Sequence, residues 1–191
     1  MDFCHTHPGG AEVELSMLFV DVRGSSQLAR QLGATAFGKL MNRFYKAASE
    51  VLVETDAYVD KFVGDEVIGL YLPVFTGSKH AALAIDAARR ILKATGHQGP
   101  EGAWVPVGVG VHTGTAYVGT ASGAEGSISD VTALGESVNV AARLSSAAAA
   151  GEALVSDAAW TASGMEDDVA VHREIELRGI SGSVGVRVLG S

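Results

Sequence analysis

The sequence predicts an α+β fold with a ferredoxin-like β-α-β-β-α-β core, followed by an additional C-terminal helix and strands. Two observations support this class. Short apolar runs rich in β-branched residues alternate with longer stretches in which apolar residues recur every three or four positions, the patterns of strands and amphipathic helices. In addition, 191 residues, of which 47% are apolar and 19% charged, suffice for one folded domain with a sizeable core.

The first half of the chain is predicted to contain a strand, a long helix, a hairpin and a second helix. The first strand stops at Asp21, and Ser25 and Ser26 then offer hydroxyl groups as caps for a helix. Gly64 and Asp65 separate two β-patterned runs and predict the turn between them. These predicted elements are a strand over 13–21, a helix over 37–52, strands over 57–63 and 67–72, and a helix over 81–92.

The second half follows a loop at 96–102 and begins with a predicted hairpin that turns at Thr113 and Gly114. The stretch 121–130 is rich in Gly, Ser and Ala and predicts a mobile loop, either a lid or an interface segment. The other predicted elements are the hairpin strands over 105–112 and 116–120, a helix over 137–149, a strand over 153–155, a short helix over 157–162, and strands over 169–177 and 185–189.

Composition excludes several classes of protein. The net charge is −8 and no run is rich in Lys or Arg, so a nucleic-acid partner is not expected. No apolar run approaches the roughly 18 residues that a membrane span needs, which predicts no membrane segment in this chain and a cytoplasmic location. The single cysteine, Cys4, leaves no internal disulfide framework and suits a reducing compartment.

Residues 1–12 are predicted to be a flexible leader or the end of an upstream module, and 13–191 the functional domain. The leader holds three metal-ligating residue types, Cys4, His5 and His7. Three ligands within four residues do not close a tetrahedral site alone. The leader therefore fits either a disordered tail or a fragment of a metal-binding module.

Two carboxylates, Asp21 and Asp65, stand beside glycines at the ends of apolar runs. Asp is a common turn former, so each also fits a plain strand end. Two carboxylates that converge from separate strand ends suit Mg²⁺, which takes one or two carboxylates and keeps its remaining positions for water and phosphate oxygens. We therefore expect a metal site at this edge of the sheet.

A polar pair, Asn139 and Arg143, is four residues apart in a predicted helix and so shares one helix face. Helices routinely carry two polar positions, which is the plain explanation. Together with the two carboxylates, however, an amide and a guanidinium on one face suggest phosphoryl chemistry on a nucleotide.

Four segments, in order, resemble the catalytic domain of class III nucleotidyl cyclases, the adenylyl and guanylyl cyclases. They are FVDVRGSS from Phe19, VDKFVGDEVIGLY from Val59, VGVGVHTGTAYVG from Val107 and TALGESVNVAARL from Thr132. The resemblance extends from about Glu14 to about Leu189. One segment alone would be weak support, whereas four in the right order and at the right spacing make the resemblance specific.

The resemblance implies an adenylyl cyclase that converts ATP to 3′,5′-cyclic AMP and pyrophosphate at two sites in a homodimer interface. Two Mg²⁺ or Mn²⁺ ions per site would be bound by Asp21, Asp65 and the backbone carbonyl of Val22. Asn139 and Arg143 of the other subunit would orient the ribose and bind the α-phosphate.

The resemblance also implies that Lys61 and Thr132 contact the base and that Arg178 contacts the terminal phosphates. Lys and Thr at the first two positions are similar to one adenylyl cyclase subgroup, whereas guanylyl cyclases usually carry Glu in place of the Lys. Many adenylyl cyclases carry Asp where this chain has Thr132. A hydroxyl both donates and accepts, so a guanylyl or dual-specificity cyclase stays open.

A catalytically silent nucleotide-binding or dimerisation module is the alternative from another class, and the complete set of site residues argues against it. Any regulatory domains would lie outside this chain. Two further residues are expected to have structural roles. His112 is predicted to be a core histidine satisfied by hydrogen bonds, and Arg23 to form a local salt bridge.

Overall fold

The fold is described by a computed structural model over residues 10–122, 129–166 and 170–190. The first strand begins at Ala11. The predicted leader, with Cys4, His5 and His7, lies almost wholly outside the described residues, so the division at residue 12 stays a prediction. No helix in the described ranges is both long and apolar enough to cross a membrane.

The described residues contain eight strands and six α-helices that follow the predicted order closely. The strands are β1 (Ala11–Val22), β2 (Tyr58–Val63), β3 (Glu66–Tyr71), β4 (Val107–Ser122), β5 (Ser129–Leu134), β6 (Ala153–Ser156), β7 (Val171–Glu176) and β8 (Ser183–Leu189). The helices are α1 (Ser25–Leu32), α2 (Ala34–Glu54), α3 (Pro73–Thr76), α4 (His80–Ala94), α5 (Glu136–Ala147) and α6 (Asp157–Ser163).

One mixed sheet runs through the molecule in the order β2-β3-β1-β4-β6-β8-β7, and β5 pairs with β4 off this path. The first four strands with α1, α2 and α4 form the predicted ferredoxin-like unit, in which β1 pairs antiparallel with both β3 and β4. The only parallel pairing in the described sheet joins β4 to β6. The α+β prediction is therefore confirmed.

The two faces of the sheet are built by strict alternation along β1. Leu18, Val20 and Val22 belong to the core beneath α2, α4 and α6. Leu15 and Met17 point the other way and pack in a second cluster, which includes Ala141 of α5. Six consecutive residues, 15 to 20, are buried, as expected for a central strand covered on both faces.

The predicted hairpin at Thr113 and Gly114 is wrong. The segment is one uninterrupted strand, because β4 pairs residue by residue with all of β1, from Ala11 opposite Val118 to Val22 opposite Val107. Gly114 does not turn the chain. A Cβ there would lie 2.5 Å from Ser137 Oγ, so the glycine makes room for the start of α5.

The hairpin in this region is formed by β4 and β5, which pair from Tyr117 opposite Leu134 to Ser122 opposite Ser129. The predicted mobile loop at 121–130 is therefore strand at both ends, and its middle, 123–128, lies outside the described residues. The predicted caps of the first helix are also wrong. Gly24, in a left-handed conformation with φ 66°, occupies the N-cap position, and Ser25 is already helical.

Helix α5 lies unusually close to β4 because two glycines face it. A Cβ at Gly110 would collide with the backbone of Ser145, and one at Gly108 would lie 2.9 Å from the carbonyl oxygen of Ala148. Ser145 also donates a hydrogen bond to the Gly108 carbonyl at 3.3 Å. The glycines in the GVGV segment therefore position the helix that carries Asn139 and Arg143.

Candidate active site

The structure brings Asp21 and Asp65 together at one end of the central strands. Asp65 lies in the two-residue turn between β2 and β3, and its carbonyl oxygen accepts a hydrogen bond from the Val22 amide at 3.1 Å. Glu66, the next residue, pairs directly with Asp21 across β1 and β3. Three carboxylates therefore converge where the sequence predicted two.

The electrostatics of this acidic cluster, Asp21, Asp65 and Glu66, reflect burial and mutual repulsion. Burial raises the pKa of Asp21 to about 6; the charge of Arg23 opposes this, and Asp65 raises it further by its charge and a side-chain hydrogen bond. Burial likewise raises the pKa of Glu66 to about 7, and the negative charges of Asp21 and Asp65 are smaller causes of the same rise. In both groups, burial and the neighbouring carboxylates outweigh the opposing charge of Arg23.

Arg23 supplies one positive charge to the cluster. Its Nη2 pairs with Asp21 Oδ2, which confirms the predicted local salt bridge. Its Nη1 donates to the carbonyl oxygen of Ser146, in the last turn of α5, at 2.9 Å. One guanidinium thus connects the acidic end of β1 to the helix that carries the other predicted catalytic pair.

The donor set of this cluster fits a hard divalent cation. Asp21 Oδ1 is buried and has no hydrogen-bond partner among the described residues, which is costly unless a cation or water completes it. Carboxylate and carbonyl oxygens are the ligands that Mg²⁺ and Mn²⁺ prefer. Asp21, Asp65 and the carbonyl of the buried Val22 therefore stay the predicted ligands, and Glu66 adds a third carboxylate beside them.

Asn139 and Arg143 lie one turn apart on α5, and both side chains are exposed. The opposite face of the helix packs in the core through Val140, Ala141 and Leu144. The polar pair therefore shares one exposed face, as the sequence predicted, while the buried face fixes the helix. The contacts of this pair with a ligand or another subunit stay predictions.

The predicted base-contacting residues lie on two different strands. Lys61 is on β2, just after a bulge, and its Nζ is 3.4 Å from Asp60 Oδ2. Thr132 is half-buried on β5, opposite Gly119 of β4. Arg178 is exposed in the turn between β7 and β8, at the other edge of the sheet from β2. Their roles toward substrate stay predictions.

Sequence reasoning missed Glu66 as a member of the acidic cluster. The available signal was its position, because the residue after a hairpin turn faces the end of the neighbouring antiparallel strand. His112 was predicted correctly as a structural residue. Its Nδ1 lies 2.8 Å from Ser156 Oγ, which also accepts a hydrogen bond from the amide of Ala159 at the start of α6.

Comparison with known proteins identifies the family of this domain. The chain matches the family model of the adenylate and guanylate cyclase catalytic domain over residues 11–188. It is 28% identical over 138 residues to an adenylate cyclase of Anabaena cylindrica, covering 68% of this chain and 26% of that protein. It is 31% identical over 136 residues to an uncharacterized protein of Mycobacterium tuberculosis, covering 71% of this chain and 24% of that one. The chain thus spans about a quarter of the length of these relatives.

Solved structures show the same architecture. The guanylyl cyclase Cya2 superposes with a TM-score of 0.84 at 22% identity, covering 95% of this chain and 94% of that one. The adenylyl cyclase CyaB from P. aeruginosa superposes with a TM-score of 0.80 at 28% identity, covering 95% and 96%. The chain belongs to the family of adenylate and guanylate cyclase catalytic domains.

Proposed function

We propose that this domain is an adenylyl cyclase that converts ATP to 3′,5′-cyclic AMP and pyrophosphate in a homodimer. The observation that carries the proposal is the acidic cluster in a domain of the cyclase family, with a buried Asp21 oxygen that has no hydrogen-bond partner in the part of the chain that the structure describes. The same cluster argues against a silent dimerisation module. Three carboxylates that converge repel one another, and this repulsion destabilises the fold unless a bound cation compensates it.

Asp21, Asp65 and the carbonyl of Val22 would bind two Mg²⁺ or Mn²⁺ ions per site. When bound, such ions favour ionisation of the ribose 3′-hydroxyl and stabilise charge on the α-phosphate and the leaving pyrophosphate. Asp21 and Asp65 hold fixed positions because the backbone of each is anchored at a strand end, with the Val22 amide bonded to the Asp65 carbonyl. This fixed placement is what a reaction that depends on positioning requires.

On the other subunit, Asn139 would orient the ribose and Arg143 would bind the α-phosphate as its charge grows. The 3′-oxygen attacks the α-phosphorus in line, the bond from the α-phosphorus to the bridging oxygen breaks, and pyrophosphate leaves. Arg143 suits this role because its planar fork is always charged and matches phosphate oxygens. Arg178 would contact the β- and γ-phosphates.

Lys61 and Thr132 would select the base. Lys61 can donate to adenine N1 and Thr132 can accept from the exocyclic amine. The contact of Lys61 with Asp60 supports this role, because the carboxylate restrains an otherwise flexible amine. Thr132 favours a second candidate, a dual-specificity cyclase, since its hydroxyl can also rotate to donate to guanine O6.

The test is product identification with the purified chain. ATP with Mn²⁺ or Mg²⁺ should give cyclic AMP and pyrophosphate in equal amounts, and GTP should react more slowly. Asp65→Asn, which keeps the shape of the side chain, should lower kcat by on the order of 10²-fold or more. ATP binding without pyrophosphate release would contradict the proposal and support the silent module. Equal turnover of both nucleotides would support the dual-specificity enzyme.

A further inference from the structure

A second group of metal-ligating side chains lies far along the sheet from the acidic cluster. Asp157 begins α6, and His172 and Glu174 stand on the same side of β7. His172 Nε2 lies 3.0 Å from Asp157 Oδ2 and 4.0 Å from Glu174 Oε1. The three candidate ligand atoms all lie within 4.8 Å of one another. We call this group the hairpin triad.

These separations suit coordination by one small divalent ion. A Zn²⁺ ion binds imidazole nitrogen and carboxylate oxygen at about 2.0–2.2 Å, so neighbouring ligand atoms lie roughly 3.0–3.5 Å apart. The His172–Asp157 separation already falls in this range. A small rotamer change of the exposed Glu174 is enough to bring its oxygen closer, and the open side leaves space for water ligands.

The local backbone makes room for the hairpin triad at Gly185. This residue pairs with Glu174 across β7 and β8. A Cβ at Gly185 would collide with Asp157 Oδ2 and would lie 3.1 Å from Glu174 Oε1. The carboxylates of Asp157 and Glu174 therefore converge over Gly185, where no larger side chain fits. Two negative charges are brought close together as a result.

Charge balance favours a cation at this point. Asp157 Oδ1 is buried and has no hydrogen-bond partner among the described residues; Arg187 Nε lies 3.9 Å from it. One guanidinium against two carboxylates leaves a net negative charge when His172 is neutral. A divalent ion would satisfy that charge and would use the imidazole as a ligand rather than as a proton donor.

We propose that Asp157, His172 and Glu174 bind a divalent transition-metal ion of the Zn²⁺ class, at a site separate from the acidic cluster. The imidazole ligand favours Zn²⁺, Co²⁺ or Ni²⁺ over Mg²⁺, which prefers oxygen donors. A bound ion would connect α6 to β7 and restrain the β7–β8 hairpin, whose turn carries Arg178. The proposal does not depend on the reaction of the domain.

The experiment measures Zn²⁺ binding in a protein that lacks the other candidate ligands. The background carries Asp21→Asn, Asp65→Asn and Glu66→Gln in the acidic cluster, and Cys4→Ser, His5→Ala and His7→Ala in the leader. Isothermal titration calorimetry should detect one Zn²⁺ per chain. Adding His172→Asn should weaken binding by at least about tenfold, as loss of a metal-site residue does.

A neighbouring substitution provides the matched control. Arg173 points to the opposite side of β7 and pairs with Glu152 at 3.0 Å, so Arg173→Gln should leave Zn²⁺ binding unchanged. As a second readout, Co²⁺ should give visible absorption bands typical of a low-symmetry site, and His172→Asn should remove them. No Zn²⁺ bound to the background protein, or equal affinity with and without His172, would overturn the proposal and leave only the hydrogen bond between His172 and Asp157.

Discussion

Arg23 shows how one side chain can support two parts of the candidate site. It pairs with Asp21 and donates to the Ser146 carbonyl, and its charge lowers the pKa of both Asp21 and Glu66. In the protein without bound cations, Arg23 therefore reduces the repulsion within the acidic cluster. A metal ion that bound the same carboxylates would take over part of that role.

Arg23→Gln should therefore lower the free energy of unfolding of the metal-free protein by about 1–3 kcal/mol, the usual loss when a charged hydrogen bond is removed. Saturating Mn²⁺ should restore more stability to this variant than to the wild type, because the cation replaces the missing charge. Thermal unfolding with and without Mn²⁺ measures both effects.

The matched control is Arg90→Gln, since Arg90 pairs with Glu54 at an exposed position. Its removal should cost less than about 1 kcal/mol, and Mn²⁺ should not correct the loss. If Arg23→Gln and Arg90→Gln behave alike, Arg23 does not serve the acidic cluster.

Base selectivity is the second prediction that rests on single residues. A guanine in the adenine pose would place its N1–H against Lys61, which has no acceptor, and an unpaired buried donor costs about 1–3 kcal/mol. Since Thr132 recovers part of this by donating to O6, kcat/KM should favour ATP over GTP by roughly ten- to a hundred-fold. Lys61→Glu with Thr132→Cys should shift the preference toward GTP. Equal kcat/KM values in the wild type would remove both residues from base recognition.

His112 predicts how stability changes in acid. Burial lowers its pKa to about 4, from 6.5 in an unfolded chain. The unfolded chain therefore binds a proton that the folded one excludes, so this contribution to stability is complete above pH 6.5 and is lost as the pH falls toward 4. His112→Gln, which keeps a hydrogen-bonding group near Ser156, should lose less stability over this range. Urea unfolding of the wild type and the variant at pH 7.5 and 5 measures this difference. If both proteins lose the same free energy of unfolding, His112 is not a cause of the loss in acid.

At the scale of elements, the contact between α5 and β4 depends on glycine. Gly110→Ala should destabilise the fold by about 1–3 kcal/mol or more, because its Cβ would meet the backbone of Ser145 rather than a flexible side chain. Gly38→Ala provides the control. It lies inside α2 with nothing near its Cβ position and should stabilise the protein by about 0.5–1 kcal/mol. Urea unfolding of both variants should give opposite signs; a neutral Gly110→Ala would show that α5 can shift.

The sequence was sufficient for most elements because their signals are local. Apolar periodicity predicted α2 and α4 to within a few residues, and the Gly64-Asp65 turn predicted β2 and β3. The Thr113-Gly114 turn failed because its local signal has a non-local cause: Gly114 admits Ser137 of α5, and β1 aligns β4 along its full length. Two members of the hairpin triad, His172 and Glu174, are two residues apart on β7, but the sequence does not place Asp157 beside them, because α6 meets β7 only through the tertiary fold.

The candidate site, like the fold, was predictable where the signal is local and not where it depends on strand pairing. Asp21 and Asp65 stand at strand ends, where sequence patterns are informative, and the structure brings them together. The role of Glu66 in the cluster required the register of β1 against β3, which no single segment encodes.

At the scale of the whole molecule, the proposed function requires two chains. If Asp21 and Asp65 of one subunit work with Asn139 and Arg143 of the other, inactive Asp65→Ala and inactive Arg143→Ala should complement each other when mixed. Each heterodimer has one intact site, and random exchange makes half of the dimers mixed, so about a quarter of wild-type activity should return. Subunit exchange must be shown independently, for example by fluorescence energy transfer. Exchange without recovered activity would contradict shared sites.

The long pairing of β1 with β4 also has a consequence for how the chain is made. The partners of β1 on β4 lie 85 to 107 positions later in the sequence. At roughly 5–20 residues per second, a ribosome needs about 5–20 seconds to synthesise that interval. During this time β3 can cover one edge of β1, but the other edge of a strongly apolar strand has no partner. The nascent chain is therefore most exposed to aggregation during translation, when binding by a chaperone would matter most.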